Sequence, residues 1–351
     1  MRPTSVLSAA ALCLIVSACA DNIPVEPTTT GLTSYRSSAA ATFEGDEYTS
    51  VSAFMDSLNA ELALAGADVR VLRGDVLYYQ SEGFNASLGT VIFANDRYRG
   101  IGAAWVKGDP RRGGREGVTY AIGSNTGGSA IVRNAAGGFR FATGAEITAF
   151  VTEAMDSWRG IRCSDAPITQ VGITAGTDPD RLDQFYRGLP RSANYRQPAD
   201  IVQGLWQPRA FFRAIAGGPA GDGILGVTIP LVYVDPATGA LTDIDGNGKA
   251  DLALAEIFYN QIYLWGNSGA FDEVNLYSVL THETGHALGL NHFGKIFVTK
   301  KDALDDNGQI FLDEVKYAPL AMMNALYITG RSEMAGTDNS SFCQLWASRV
   351  K

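Results

Sequence analysis

The chain has 351 residues, 46% apolar and 19% charged, so it can bury a sizeable core and is not disordered throughout. Lys and Arg number 28 against 37 Asp and Glu, a net charge of −9, which argues against nucleic acid or an anionic membrane surface as a partner. The one basic cluster, Arg111-Arg112-Gly113-Gly114-Arg115, follows Asp109-Pro110 and reads as a solvated turn.

Met1-Arg2 and the apolar run from Val6 to Val16 fit an export signal, because the run is shorter than the ~20 residues that span a bilayer. The run ends in Val16-Ser17-Ala18-Cys19, which resembles the lipobox of bacterial lipoproteins. That resemblance implies a signal peptide at 1–18, a lipid on Cys19, and a body facing the periplasm or cell exterior. Membrane contact is expected through this anchor alone. Residues 19–45, rich in Pro, Thr, Ser and Ala without an apolar period, read as a flexible tether reaching roughly 28 Å. Export leaves Cys163 and Cys343 together in an oxidising compartment, where they are expected to pair; two buried free thiols are the alternative.

Residues 46–116 read as a small α/β unit without His or Cys. Val51, Phe54, Met55, Leu58 and Leu62 recur at helical spacing, and Gly66 closes that helix. Val69 to Leu72 and Val76 to Tyr79 read as strands with Gly74-Asp75 in the turn between them, and Thr90 to Phe93 as another. Residues 117–351 form the second domain, giving an α+β protein overall. Val118 to Ile122 is a strand. Thr143 and Glu146 form a capping box for a helix that places Ile147, Phe150, Val151, Ala154, Met155 and Trp158 on one face and stops at Gly160. Ile224 to Val234 and Glu256 to Tyr259 are strands, and helices run from about Asp272 to Gly289 and Ser340 to Val350.

All 3 histidines fall between His282 and His292. His282 and His286 are four apart, so a helix carries both on one face toward one metal ion. His292 can join them only if the helix breaks, and Gly289 is where it can. Three neutral imidazoles with an open fourth position describe a catalytic zinc site, and Glu283 beside the first ligand is placed as general base and then acid.

His282, Glu283, His286, Gly289 and His292, together with Ala321-Met322-Met323-Asn324-Ala325 downstream, resemble the metzincin zinc endopeptidases. The likeness covers roughly residues 117–350. It implies a metzincin-like catalytic domain, a twisted mixed sheet with a zinc-binding helix and a Met-turn centred on Met323, or on Met322. It also implies hydrolysis of peptide bonds in protein or peptide substrates by a monomer, and an edge strand antiparallel to the substrate, for which Glu256 to Asn260 is the candidate. Ala325 replaces the tyrosine that astacins and serralysins carry, and Phe293 replaces the matrixin serine. A non-enzymatic surface lipoprotein that uses such a fold for binding is the alternative.

A second metal pattern is Asp243, Asp245, Asn247, Lys249 through its carbonyl, and Asp251, at positions 1, 3, 5, 7 and 9 of a calcium loop with Gly246 at 6. Leu254 stands where such a loop has its glutamate, and an Asp/Gly-rich turn is the other reading. A weaker echo runs from Asp302 to Glu314.

Overall fold

A computed structural model describes residues 46–79, 91–94, 100–123, 129–164, 167–173, 182, 199–268, 273–298, 315–327, 331 and 333–346. The signal at 1–18, the lipid site Cys19, the tether at 19–45 and the echo from Asp302 to Glu314 lie outside the described residues.

The first helix, α1 (Asp46–Leu64), buries Val51, Met55, Leu58 and Leu62, and ends where Gly66 takes φ +68°. Strands β1 (Val69–Val71), β2 (Asp75–Tyr78), β3 (Val91–Ala94), β4 (Ala103–Ala104) and β5 (Val118–Ile122) follow. A hairpin of β6 (Ile131–Arg133) and β7 (Phe139–Phe141) leads into α2 (Gly144–Arg159), whose capping box is formed by Thr143 and Glu146 as expected. Next come β8 (Ile168–Gln170), β9 (Ile201–Gln207), α3 (Arg209–Ile215), β10 (Ile224–Tyr233), β11 (Ala250–Asn260), β12 (Leu264–Gly266) and β13 (Val274–Asn275). The histidine-bearing helix is α4 (Leu276–Ala287), capped by Asn275, which accepts from the Ser278 N–H at 2.8 Å. After it lie β14 (Gly294–Val298), β15 (Val315–Ala318) and α5 (Gly336–Trp346).

These elements make a mixed α+β fold around an 8-stranded sheet. Its spine runs β8, β5, β9, β11, β10, with the first four parallel and β10 antiparallel to β11. One face packs against α2 and α4, burying Trp158, Ile257, Tyr259, Val279 and Leu280. The other packs against α1 and α3, burying Leu58, Phe211, Phe212, Val227 and Phe258. Apolar residues on both sides of β11 explain its nearly unbroken apolar run.

Three expectations are corrected. Glu256 to Asn260 is not an edge strand: β11 pairs with β10 on one side and β9 on the other along this stretch. Nor do β1 and β2 pair with each other as a hairpin; both pair with β10, on its outer side, so residues from the first segment complete the main sheet across the 116/117 boundary. Between them, Pro230 of β10 has no N–H to offer, and its carbonyl alone accepts from the Leu72 N–H at 2.9 Å. The basic cluster is a turn with Gly113 and Gly114 exposed, but it is not solvated throughout. Arg112 is buried, bonded to Asp200 Oδ1 and Oδ2 at 3.0 and 2.9 Å, while Arg115 reaches Asp200 Oδ1 at 2.6 Å. These arginines hold Asp200 ionised, below the usual carboxylate range despite its burial. Cys163 and Cys343 are disulfide-bonded across a separation of 180 residues, tying the end of α2 to α5.

Candidate metal centre and its carboxylate

Helix α4 carries His282 and His286 on one face. The chain then leaves the helix: Gly289 takes φ +98°, its N–H bonds the His286 carbonyl at 2.9 Å, and the Leu290 N–H bonds the Gly285 carbonyl at 2.9 Å. This left-handed turn brings His292 back. The three Nε2 atoms stand 3.0 Å (282 to 292), 3.1 Å (282 to 286) and 3.1 Å (286 to 292) apart.

Their outward nitrogens fix the tautomers. His282 Nδ1 lies 2.6 Å from the Met322 carbonyl and His286 Nδ1 lies 2.9 Å from the Leu290 carbonyl. A carbonyl only accepts, so both Nδ1 atoms carry the proton and both Nε2 atoms present lone pairs. Burial, with the neighbouring imidazole, pushes His282 down to about 3; burial does the same for His286, and drives His292 well below its ordinary value. The Nε2 lone pairs of His282 and His286 face each other at 3.1 Å, a repulsion that a cation among the three rings would relieve. Such a triangle has a common point at the ~2.0–2.1 Å of a zinc–nitrogen bond. His282, His286 and His292 therefore form a group that can hold a metal ion.

Met323 packs against α4 at Gly285. Gly285 makes the approach possible, since a Cβ there would stand 2.9 Å from Trp158 and would overlap the Met323 sulfur. Asp338 braces this turn, accepting from the N–H groups of Met322, Met323 and Ala335 at 2.8, 3.1 and 2.7 Å. Asn324 ties it to the third histidine's loop through the Phe293 carbonyl at 3.0 Å.

Glu283 points toward the sheet. Its Oε2 accepts from the Thr228 hydroxyl at 2.6 Å, and its Oε1 has no hydrogen-bond partner among the described residues. Gly226 gives it room, as a Cβ there would stand 3.0 Å from Glu283 Cγ and Oε1. Burial raises the carboxyl well above its ordinary value, Thr228 pulls it back, and the nearby Asp75 raises it further. Asp75 belongs to β2. It is buried, ion-paired with Arg73, and its Oδ2 lies 4.0 Å from His286 Nδ1. Relative exposures of 1, 0, 0 and 9% for His282, Glu283, His286 and His292 mean that the whole group is covered.

The Asp243 to Asp251 loop lies elsewhere. Asp243, Asp245 and Asp251 bring carboxylate oxygens within 4.8 Å of one another. Those oxygens are already engaged. Asp243 accepts from the N–H groups of Asn247 and Gly248 at 3.0 and 2.8 Å, and Asp245 from the Asn247 side-chain amide at 3.0 Å. The Asn247 side chain accepts from the Lys249 N–H at 2.8 Å, and Asp251 takes Arg111 and the Thr242 hydroxyl at 2.7 and 2.6 Å. The spacing of the three histidines brought them together correctly in space, but nothing local pointed to Asp75, Thr228, Gly226 and Asp338. Only strand register or a long-range contact reveals these four.

No model of a known family matches the chain, and no curated protein matches it.

Proposed function

We propose that the chain is a zinc-dependent endopeptidase of extracytoplasmic proteins, built on the metzincin plan. The observation that carries this is three buried, neutral imidazoles converging through Nε2, with a buried glutamate one residue from the first of them. Zinc held there would supply Lewis acidity, acidifying a water and polarising the scissile carbonyl.

The chain's own residues do the rest. The Met322 and Leu290 carbonyls hold two imidazoles in the ligand tautomer. Thr228 fixes one oxygen of Glu283, leaving Oε1 to take a proton from the attacking water and later give it to the leaving amine. Met323 is buried and, on this plan, would be the apolar floor of the site. The strand order supports the same plan, with antiparallel β10, rather than β11, as the strand whose outer side a peptide would join. The disulfide favours an oxidising compartment, in keeping with export and a lipid on Cys19.

The second reading, a metal-holding lipoprotein without hydrolytic activity, is favoured by the covered state of the histidines and Glu283. Cleavage of an unfolded protein by the zinc-loaded chain and its Glu283→Gln variant separates the two. We expect the variant to retain one zinc and lose ~10²–10⁴-fold in rate. Equal rates would remove Glu283 from the mechanism.

A further inference from the structure

We propose that helix α5 is a strut that positions the metal ligands, with Trp346 as its contact on the break in α4 and the Cys163–Cys343 disulfide as its mooring. The inference rests on the metal-binding half of the reading above and not on peptide cleavage.

Where α4 stops, its last carbonyls need partners from outside the regular helix. The N–H groups of Leu288, Leu290 and Gly289 answer the Thr284, Gly285 and His286 carbonyls, each at 2.9 Å. The next three carbonyls are answered from distant parts of the chain. Ala287 accepts from the Trp105 Nε1–H and Leu288 from the Trp346 Nε1–H, both at 2.9 Å. Gly289 accepts from the Ile101 N–H at 3.0 Å. The Leu290 carbonyl then holds His286 Nδ1 at 2.9 Å, and His292 follows two residues later. The turn from Leu288 to Leu290 therefore sets the tautomer of one ligand and the arrival of another.

The start of α5 reaches the support of the other tautomer. Asp338 is buried and accepts from the Met322 N–H at 2.8 Å, and the Met322 carbonyl lies 2.6 Å from His282 Nδ1. One helix thus braces, through residues near its two ends, both backbone segments that orient imidazoles.

Little apolar burial holds this helix in place. Of its 11 residues only Asp338, Ser341 and Phe342 are buried, and a helix this short depends on tertiary contacts. Phe342 stacks on Trp346 and tilts against Trp158, with ring centroids 6.0 and 5.4 Å apart. Leu345 packs on the turn, where a Cβ on Gly289 would stand 3.7 Å from its Cδ1. The remaining hold is covalent: Cys343, three residues before Trp346, is joined to Cys163 just past α2. Metal affinity is accordingly coupled to the disulfide.

The test measures zinc affinity of the full chain by competition with a chromophoric chelator. Wild type is compared with Trp346→Phe, with the pair Cys163→Ala and Cys343→Ala, with all three changes together, and with Leu58→Ala. Circular dichroism and thermal melting first establish that each metal-free protein is folded. Trp346→Phe keeps an aromatic ring and loses the N–H, and it should weaken zinc about tenfold, the low end of what outer-shell partners cost. The alanine pair should lose about tenfold or more. Together the changes should cost less than the product of the two losses, because both act through α5. Leu58→Ala, in the core on the other face of the sheet, should lower the melting temperature and leave zinc affinity unchanged.

A folded Trp346→Phe with wild-type zinc affinity would overturn the strut, whatever the alanine pair does. Should the pair not fold, Trp346→Phe decides alone, since its disulfide is intact. A folded pair with wild-type affinity would overturn the mooring. An equal loss in Leu58→Ala would reduce the effect to general stability and overturn the proposal. A wild-type chain that holds no zinc would instead overturn the metal reading on which it rests.

Discussion

Among the described residues two clusters have metal-ligand spacing, and they differ in what their atoms already do. In the Asp243 to Asp251 loop every named carboxylate is answered from within the chain, by backbone N–H groups, the Asn247 amide, Thr242 or Arg111. In the histidine group the outward nitrogens of His282 and His286 are answered and the inward ones face only each other. The first cluster can stand as a turn, although its carboxylates also lie close enough together to hold a metal ion. In the second, a cation would relieve the facing lone pairs of His282 and His286. Spacing alone does not separate these cases; the fate of the second atom on each side chain does.

The contrast can be broken most severely at His286. His286→Ala should cut zinc affinity by more than the ~10–100-fold that loss of an outer-shell partner typically costs. Asp243→Ala should leave it unchanged. Zinc titration of both variants checks this, and equal losses would mean that the two clusters are not independent.

Acid provides the next test. The folded-state values of His282 and His286 lie near 3, below the 6.5 of the unfolded chain, so below pH 6.5 the unfolded chain binds more protons. The metal-free protein should therefore keep this stability above about pH 6.5 and lose it progressively toward pH 3. Zinc should be released in the same direction, since its ligands must be neutral. Denaturant midpoints across that range that do not move would contradict the assignment of neutral, buried histidines.

Smaller effects follow. Arg111→Ala should destabilise the acidic loop's anchor by about 1–3 kcal/mol, because Asp251 is buried and loses its charged partner. Gly285→Ala should cost a similar ~1–3 kcal/mol through overpacking against Met323 and Trp158, and should also weaken zinc binding. Asp243→Ala should be the mildest, near the ~0.5–1.5 kcal/mol of a hydrogen bond. Urea midpoints rank all three. A large loss at Asp243 with none at Gly285 would reverse the contrast.

What was legible in the sequence was local. The helix at 143–159, its capping box, the glycine turn at 289 and the histidine spacing all depend on residues within a few positions of one another. The disulfide was legible because the chain has four cysteines and two of them, Cys13 and Cys19, fall in the stretch read as an export signal and lipid site. Strand order was not. Glu256 to Asn260 looked like any half-buried strand, and nothing in its own residues says that β9 lies beside it. The role of Arg112 depends on Asp200, 88 positions away, and that of Asp75 on pairing with β10. An isolated Asp beside Gly74 reads locally as a turn, and only register carries it to the histidines.

Elemental analysis with zinc-edge absorption on the native protein, beside His286→Ala, tests the central claim most directly. The account predicts one zinc per chain with three imidazole nitrogens at about 2.0–2.1 Å, lost in the variant. Zinc that survives His286→Ala, or that shows only oxygen neighbours, would contradict it.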